Sequence, residues 1–309
     1  MEMVRRIIVA CALMILAGAL HAARAEERQP IRIAIMSRTV FYLPVWLAEW
    51  RGYFHDEGLD ATVEVFDNAE YINDALRDDP VQIAMRTPES IMVDALHGGS
   101  LRIVAGNAGR LPHFTIAQPG INSVAELKGK TIGVLSDQEG TAHLVPQMAA
   151  AAGLQPFPLS YEAEAAGFSN LGPLTGIIPD WQFTSVNVDE HWAEAHRATL
   201  VSALRALRRG LDDVAADPAG AASVAAEGLQ TTRPLAERAL VDTARMGILT
   251  PGMEVSMLGL VRVHTALVAA KLLPDEPFSP GRVTDLRHLR GSRDIVLRGE
   301  GSLMLGQQF

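Results

Sequence analysis

The sequence predicts an open α/β sheet, and three observations carry that prediction. Short β-branched runs alternate with amphipathic helical stretches from Ile31 to about residue 152. Gly, Pro, Asn and Asp punctuate the alternation at nearly every junction. After Asp189 the pattern becomes purely helical. Regular β-α alternation of this kind implies a largely parallel sheet covered by helices, with ligand sites at the strand C-termini.

The elements follow in chain order. Ile31–Met36 (IRIAIM) alternates around Arg32 as a first strand, and Pro44 opens a helical stretch, PVWLAEWRGYF, halted around Gly52 and DEGL. ATVEVF (61–66) is a strand, Ala69 to Arg77 a helix, VQIAM (81–85) a strand, and Glu89 to Leu96 a helix closed by Gly98 and Gly99. LRIVAG (101–106) and HFTIAQ (113–118) are strands, Val124 to Leu127 a short helix, TIGVLS (131–136) a strand and 141–152 a helix. In GLQPFPLSYEAEAAGF (153–168) one helix should stop at Gly153 and the next begin near Ser160. The six residues between, with Pro156 and Pro158, are expected to hold no strand, since a parallel crossover needs about a dozen residues. QFTSVNV (182–188) is the last strand, and Asp189 is a good N-cap with Glu190 in the first turn. Leu200, Leu204, Leu207, Leu211 and Val214 form one buried stripe, leaving Arg197, Arg205, Arg208 and Arg209 on an expected solvated face. Further helices run to Leu273, and the tail after Pro274 is loop-rich.

The N-terminus reads as a targeting segment. Arg5 and Arg6 precede the apolar run Ile7–Leu20, and Ala23-Arg24-Ala25 precedes Glu26, which predicts a secretory signal peptide over 1–25, cleaved after about Ala25. Ile8-Val9-Ala10-Cys11 reads alternatively as a lipidation box, although only four apolar residues separate Arg6 from Cys11. No later run approaches the roughly 20 apolar residues of a membrane span, so no direct membrane insertion is expected. The single cysteine, Cys11, lies in the leader, which leaves the exported chain without disulfides, thiol nucleophiles or cysteine metal sites. Removing Glu2, Arg5, Arg6 and Arg24 with the leader takes the formal charge from −9 to −11. With no dense basic patch, nucleic acid is excluded as an expected partner.

Several stretches resemble one family: FYLPVWLAEWRGYFHDEGLDATVEVF, VQIAMRTPESIMVDALHGG, SVAELKGKTIGVLSDQEGTAHLVPQMAAAAGL and IIPDWQFTSVNVDEHWAEAHRATLVSALRALRRG. They look like the periplasmic solute-binding proteins of ABC importers for nitrate, sulfonates, taurine and thiamine-pyrimidine precursors, the NMT1/THI5-like group. The similarity runs to about Leu211. It implies a type II periplasmic-binding-protein fold, two lobes joined by two crossing strands, with HFTIAQP leading out and QFTSVNV returning. The implied organisation is lobe 1 over 26–118 plus 187–309, and lobe 2 over 119–186. Against the family pattern, QPFPLS stands where a strand–helix–strand unit is expected, so the second lobe is predicted to be short by about one such unit. The resemblance further implies a periplasmic monomer that binds a small organic solute and delivers it to an ABC permease at the inner membrane. The alternatives are a shortened member with impaired binding, and a receptor that presents ligand to a sensor. An enzyme of the thiamine-pyrimidine synthase type is disfavoured by the leader and the absence of cysteine beyond it.

Candidate ligand-binding residues come from four strand ends. SRTVFYLP supplies Arg38, Thr39 and Tyr42; RTPES supplies Arg86, Thr87 and Glu89; GNAGR supplies Asn107 and Arg110; SDQEGT supplies Ser136, Glu139, Gly140 and Thr141; and Tyr161 is added from YEAEAAGF. Helix-start N–H groups suit an anion, Glu89 and Glu139 oppose a simple one, and Tyr42 could stack a ring. Each position taken alone also reads as a cap or turn residue. No catalytic residue, cofactor or metal is predicted. GKT (129–131) lacks the glycine a phosphate loop needs at position 124, which is Val124. His191 and His196 are five apart, where metal pairs on a helix want three or four.

Overall fold

The computed structural model describes residues 28–66, 69–78, 80–128, 130–131, 153–156 and 159–293. The leader, TIGVLS after Thr131, the helix at 141–152 and the tail beyond 293 therefore lie outside the described residues. Two sheets organise the chain. The large one has the order β2-β1-β3-β8-β4, where β1 is Gln29–Ile35, β2 Leu59–Val65, β3 Ile83–Arg86, β4 Leu101–Ala108 and β8 Thr184–Asp189. The small one has the order β6-β5-β7, with β5 His113–Ala117, β6 Gly153–Pro156 and β7 Ser169–Pro173.

In the large sheet β1 runs parallel to β2 and to β3, Gln29 facing Leu59 and Ile33 facing Ile83. The return strand β8 runs antiparallel to both neighbours, with Met85 opposite Val186 and Arg102 opposite Val188. All six β8 residues are buried. Their polar side chains are satisfied locally: the Asn187 amide donates to the Ala84 and Ser185 carbonyls, each at 3.0 Å, and accepts from Ser185 Oγ at 2.8 Å. That pairing removes the cost of burying unpaired polar groups in a central strand. Asp189 caps the next helix as expected, accepting from the His191 and Trp192 N–H groups at 2.8 and 3.2 Å.

The segment around Pro156 and Pro158 departs from expectation. A strand does stand there: β6 pairs antiparallel to β5, from Ile116 opposite Gly153 to His113 opposite Pro156. The helix Leu159–Ala165 and the strand β7 follow, so 153–173 is itself a compact strand–helix–strand. The crossover argument failed because it counted only the six residues before Ser160, whereas β6 begins at Gly153 and the helix Leu159–Ala165 belongs to the same unit. Pro156 is tolerated because it stands at the end of its strand.

The helices are α1 Leu43–Trp50, α2 Tyr53–Asp56, α3 Ala69–Arg77, α4 Glu89–Leu96, α5 Leu159–Ala165, α6 Glu190–Ala195, α7 Arg197–Ala216, α8 Pro218–Gly228, α9 Arg233–Arg245, α10 Met257–Ala269 and α11 Arg287–Arg293. The first stretch breaks at Gly52, whose φ of 72° separates α1 from α2. Helix α7 buries Leu200, Leu204, Leu207 and Leu211, with Val214 half-buried. It packs closely on α1: a Cβ at Gly210 would lie 2.1 Å from the Pro44 carbonyl oxygen. Two of its arginines are docked rather than solvated. Arg209 stacks 3.9 Å above the Tyr53 ring and pairs with Asp56, and Arg205 reaches Glu57 and the Gly291 carbonyl. Both bind turns contributed by neighbouring helices, which periodicity along one helix cannot reveal. Among the described residues no helix is long and apolar enough to cross a membrane.

Candidate functional site

The loops leaving β1, β3 and β4 gather at one end of the large sheet, as strand polarity requires. After β1, the Ser37 and Thr39 hydroxyls lie 3.1 Å apart, and a short 3₁₀ turn, Val40–Tyr42, buries all three of its residues. At the end of β3, Arg86 is buried and its Nη1 donates to Asn73 Oδ1 at 2.7 Å. Thr87 follows, half-buried, and Glu89 is buried in the first turn of α4. Near the end of β4, Asn107 spends its amide on structure, donating to the Phe41 carbonyl at 2.7 Å and to Thr184 Oγ1 at 2.9 Å. Thr39, Tyr42, Arg86, Thr87, Glu89 and Asn107 are thus brought to one end of the sheet.

An aromatic chain links this end to the small sheet. Phe41 meets Tyr42 at 4.8 Å and Phe183 at 5.0 Å, and Phe183 meets His113 at 4.9 Å, the last two contacts nearly perpendicular. Edge-to-face packing of this kind is the geometry ring quadrupoles favour. His113 opens β5, so the chain of rings passes from the β1 loop to the second sheet. Burial pushes the His113 imidazole down to about 3, which keeps it neutral, and its Nδ1 makes no hydrogen bond. The crossing is fixed beside it. The Gln182 amide donates to the Ala108 and Thr184 carbonyls and accepts from the Ser256 N–H at 2.7 Å, and the Phe183 N–H reaches the Ala108 carbonyl at 2.9 Å. Trp181, adjacent, is fully buried, in keeping with a packing role at the crossing.

The remaining candidates divide. Arg38 turns toward α8, donating to the Gly228 carbonyl at 3.0 Å and lying 5.1 Å from the Trp46 ring. Arg110 lines a cavity of about 550 Å³ with Asp180, Asp212, Thr243, Thr250 and Glu254, on the C-terminal helix side of the crossing. Tyr161 on α5 docks onto α9: its hydroxyl donates to Asp242 Oδ2 at 2.7 Å, and the Arg238 guanidinium sits 3.8 Å above its ring. Burial, then the bond to Asp242, raises the Tyr161 phenol, so it stays protonated. Arg238 continues to Glu164 on α5 at 2.8 Å. Ser136, Glu139, Gly140 and Thr141 lie outside the described residues.

Sequence reasoning missed Phe41, His113 and Phe183 because it sought polar groups at strand ends. The aromatic residues opening HFTIAQ and QFTSVNV were the available signal. Nothing along α9 marks Arg238 or Asp242, which matter only once α5 docks there.

Residues 41–174 match the NMT1/THI5-like family model. A Brucella abortus protein named as a binding protein is 35% identical over 96 residues, 31% of this chain and 28% of that protein, so the match spans under a third of the relative's length. The fold is that of solved periplasmic binding proteins. A Bordetella bronchiseptica protein superposes with a TM-score of 0.70 at 18% identity, covering 86% of this chain and 97% of that one. The alkanesulfonate-binding protein SsuA of Xanthomonas axonopodis, bound to MOPS, superposes with a TM-score of 0.64 at 15% identity, covering 84% and 99%. The desulfurization enzyme DszB shares the fold at 13% identity with a TM-score of 0.60, covering 86% and 99%.

Proposed function

We propose that this chain, whose residues 41–174 match the NMT1/THI5-like family, is the extracytoplasmic solute-binding component of an ABC importer. It captures a small organic solute between two lobes, 26–118 with 187–309 and 119–186, and hands it to a permease at the inner membrane as a monomer. Its mechanism is capture: a solute that touches both lobes stabilises the closed arrangement by its differential affinity for it. The observation that carries this reading is the convergence of Tyr42, Arg86 and Glu89 at the large-sheet strand ends with an aromatic chain that ends on His113 of the small sheet. Neutral rings together with a buried cation and a buried carboxylate at the same sheet end suit a solute with an apolar or ring body and a polar head, rather than a bare inorganic anion.

Isothermal titration of the exported chain with taurine, alkanesulfonates, nitrate, aromatic acids and aminopyrimidines tests the proposal. Binding to one organic class, weakened by Arg86→Ala, supports it. Silence across that panel and a broad metabolite screen removes it. An enzyme on the same scaffold is the rival reading, and turnover of any bound solute would favour it.

A further inference from the structure

A second site lies away from the strand ends, where α6 meets the start of α11. Glu194, on α6, comes together with Asp285 and His288 from a segment about ninety residues later. Their carboxylate oxygens and imidazole nitrogen all lie within 4.8 Å of one another. Asp285 stands two residues before α11 and His288 in its first turn. The two histidines flanking Glu194, His191 and His196, are five apart and do not pair on one helix face. His196 is instead stacked on Trp192 at 5.3 Å.

His288 points to a ligand. It is 1% exposed, its Nε2 stands 3.4 Å from Asp285 Oδ2, and neither ring nitrogen makes a hydrogen bond. A buried imidazole with both nitrogens unsatisfied is costly unless something with affinity for the lone pair completes it. Asp285 Oδ1 is tied to the start of α11 through the Arg287 N–H at 3.2 Å, while Oδ2 faces the histidine. Arg287 offsets half the charge of the two carboxylates, reaching Asp285 at 2.6 Å and also pairing with Glu194. Its side chain is 53% exposed and can swing into solvent.

We infer that Glu194, Asp285 and His288 form a binding site for a divalent transition cation, with Arg287 as the displaceable counter-charge. One imidazole and two carboxylates suit Zn²⁺ or Mn²⁺ and not Mg²⁺ or Ca²⁺, which favour all-oxygen shells. Three protein ligands leave a position for water. A cation here ties α6, which continues directly from β8, to α11, which packs on α7 and β4. Arg197 also acts on His288 and opposes the cation's charge.

The test uses the untagged chain stripped by chelator dialysis and then titrated with ZnCl₂ or MgCl₂ by calorimetry and thermal melting, with no solute present. One Zn²⁺ per chain with a raised Tm, and no response to Mg²⁺, is expected. Losing a ligand in Glu194→Gln should weaken binding by at least the roughly 10–100-fold that losing an outer-sphere partner costs. Because Glu194 is exposed, that variant keeps the test meaningful if His288→Gln fails to fold. Arg287→Ala should tighten binding. Absent Zn²⁺ binding, or binding unchanged in Glu194→Gln, overturns the site; weaker binding in Arg287→Ala overturns the role given to the arginine.

Discussion

Replacing His113 by Phe should make the protein less sensitive to acid. The imidazole is enclosed and its pKa falls from 6.5 to about 3 through burial alone. In the unfolded chain the same group takes up a proton as the pH falls through its ordinary value. Between about pH 6.5 and 3 the unfolded state therefore binds one more proton than the folded state, and stability falls as the pH falls. The contribution is fully present above about 6.5, and the loss ends near 3, where the folded form protonates too. The slope approaches about 1.4 kcal/mol per pH unit, so this residue should cost about 2 kcal/mol by about pH 5. Phe keeps the edge-to-face contact with Phe183 and removes the titration. Urea unfolding of wild type and His113→Phe from about pH 7.5 to 4.5 measures the difference directly. Subtracting the curves cancels other groups, including His264 and His288, whose basicity burial also lowers. Parallel curves would show that His113 reaches water in the folded state and would refute the enclosed aromatic chain.

Other contacts give sharper local tests. A double-mutant cycle over Tyr161→Phe and Asp242→Ala, read by denaturant unfolding, should return a coupling of about 1–2 kcal/mol, since a hydrogen bond to a charged group is lost. Additive effects would remove the bridge between α5 and α9. Gly210→Ala pushes a methyl against the Pro44 carbonyl and should cost about 1–3 kcal/mol in a melt, as overpacking does; a neutral change would mean that α1 and α7 can separate freely. Asp189→Ala removes two N–H partners at the start of α6 and should cost about 1 kcal/mol by the same unfolding assay, whereas an unchanged stability would deny the cap its role.

The large sheet was legible because its strands are the simplest case for sequence patterning. Ile31, Ile33 and Ile35 alternate around Arg32 and Ala34, and helices α3 and α4 fall on the expected residues. The small sheet was harder to read. Its strands are four or five residues long, and β7, SNLGP, has no apolar period. The rule that excluded a strand at 153–156 counted only the six residues before Ser160, whereas the strand–helix–strand unit extends from Gly153 to Pro173. The candidate site shows the same division. Tyr42, Arg86 and Glu89 could be placed because strand ends announce themselves. Arg38 and Asn107 could not be told from ligand contacts, because their partners, the Gly228 and Phe41 carbonyls, carry no side-chain signature.

The two connections between the sheets differ in kind, and that difference decides which one can open if solute capture proceeds by closure. At the crossing, Gln182 and Phe183 are held by backbone carbonyls and N–H groups inside the core, and a Cβ at Gly259 would approach the Gln182 nitrogen to 2.3 Å. Loosening that network would bare buried backbone groups and leave little room for a gradual slide. Between α5 and α9 side chains meet: Tyr161 with Asp242 and with Arg238, and Arg238 with Glu164, the arginine about half exposed. Water can replace the polar partners in turn, so separation there costs surface ion pairs, one buried hydrogen bond and the packing of the Tyr161 ring. If capture proceeds by closure, the crossing would serve as the fulcrum and the α5–α9 contact as the part that yields. A solute then binds tightly only to the extent that it contacts both sides, because an equal affinity for the open and closed forms would shift nothing.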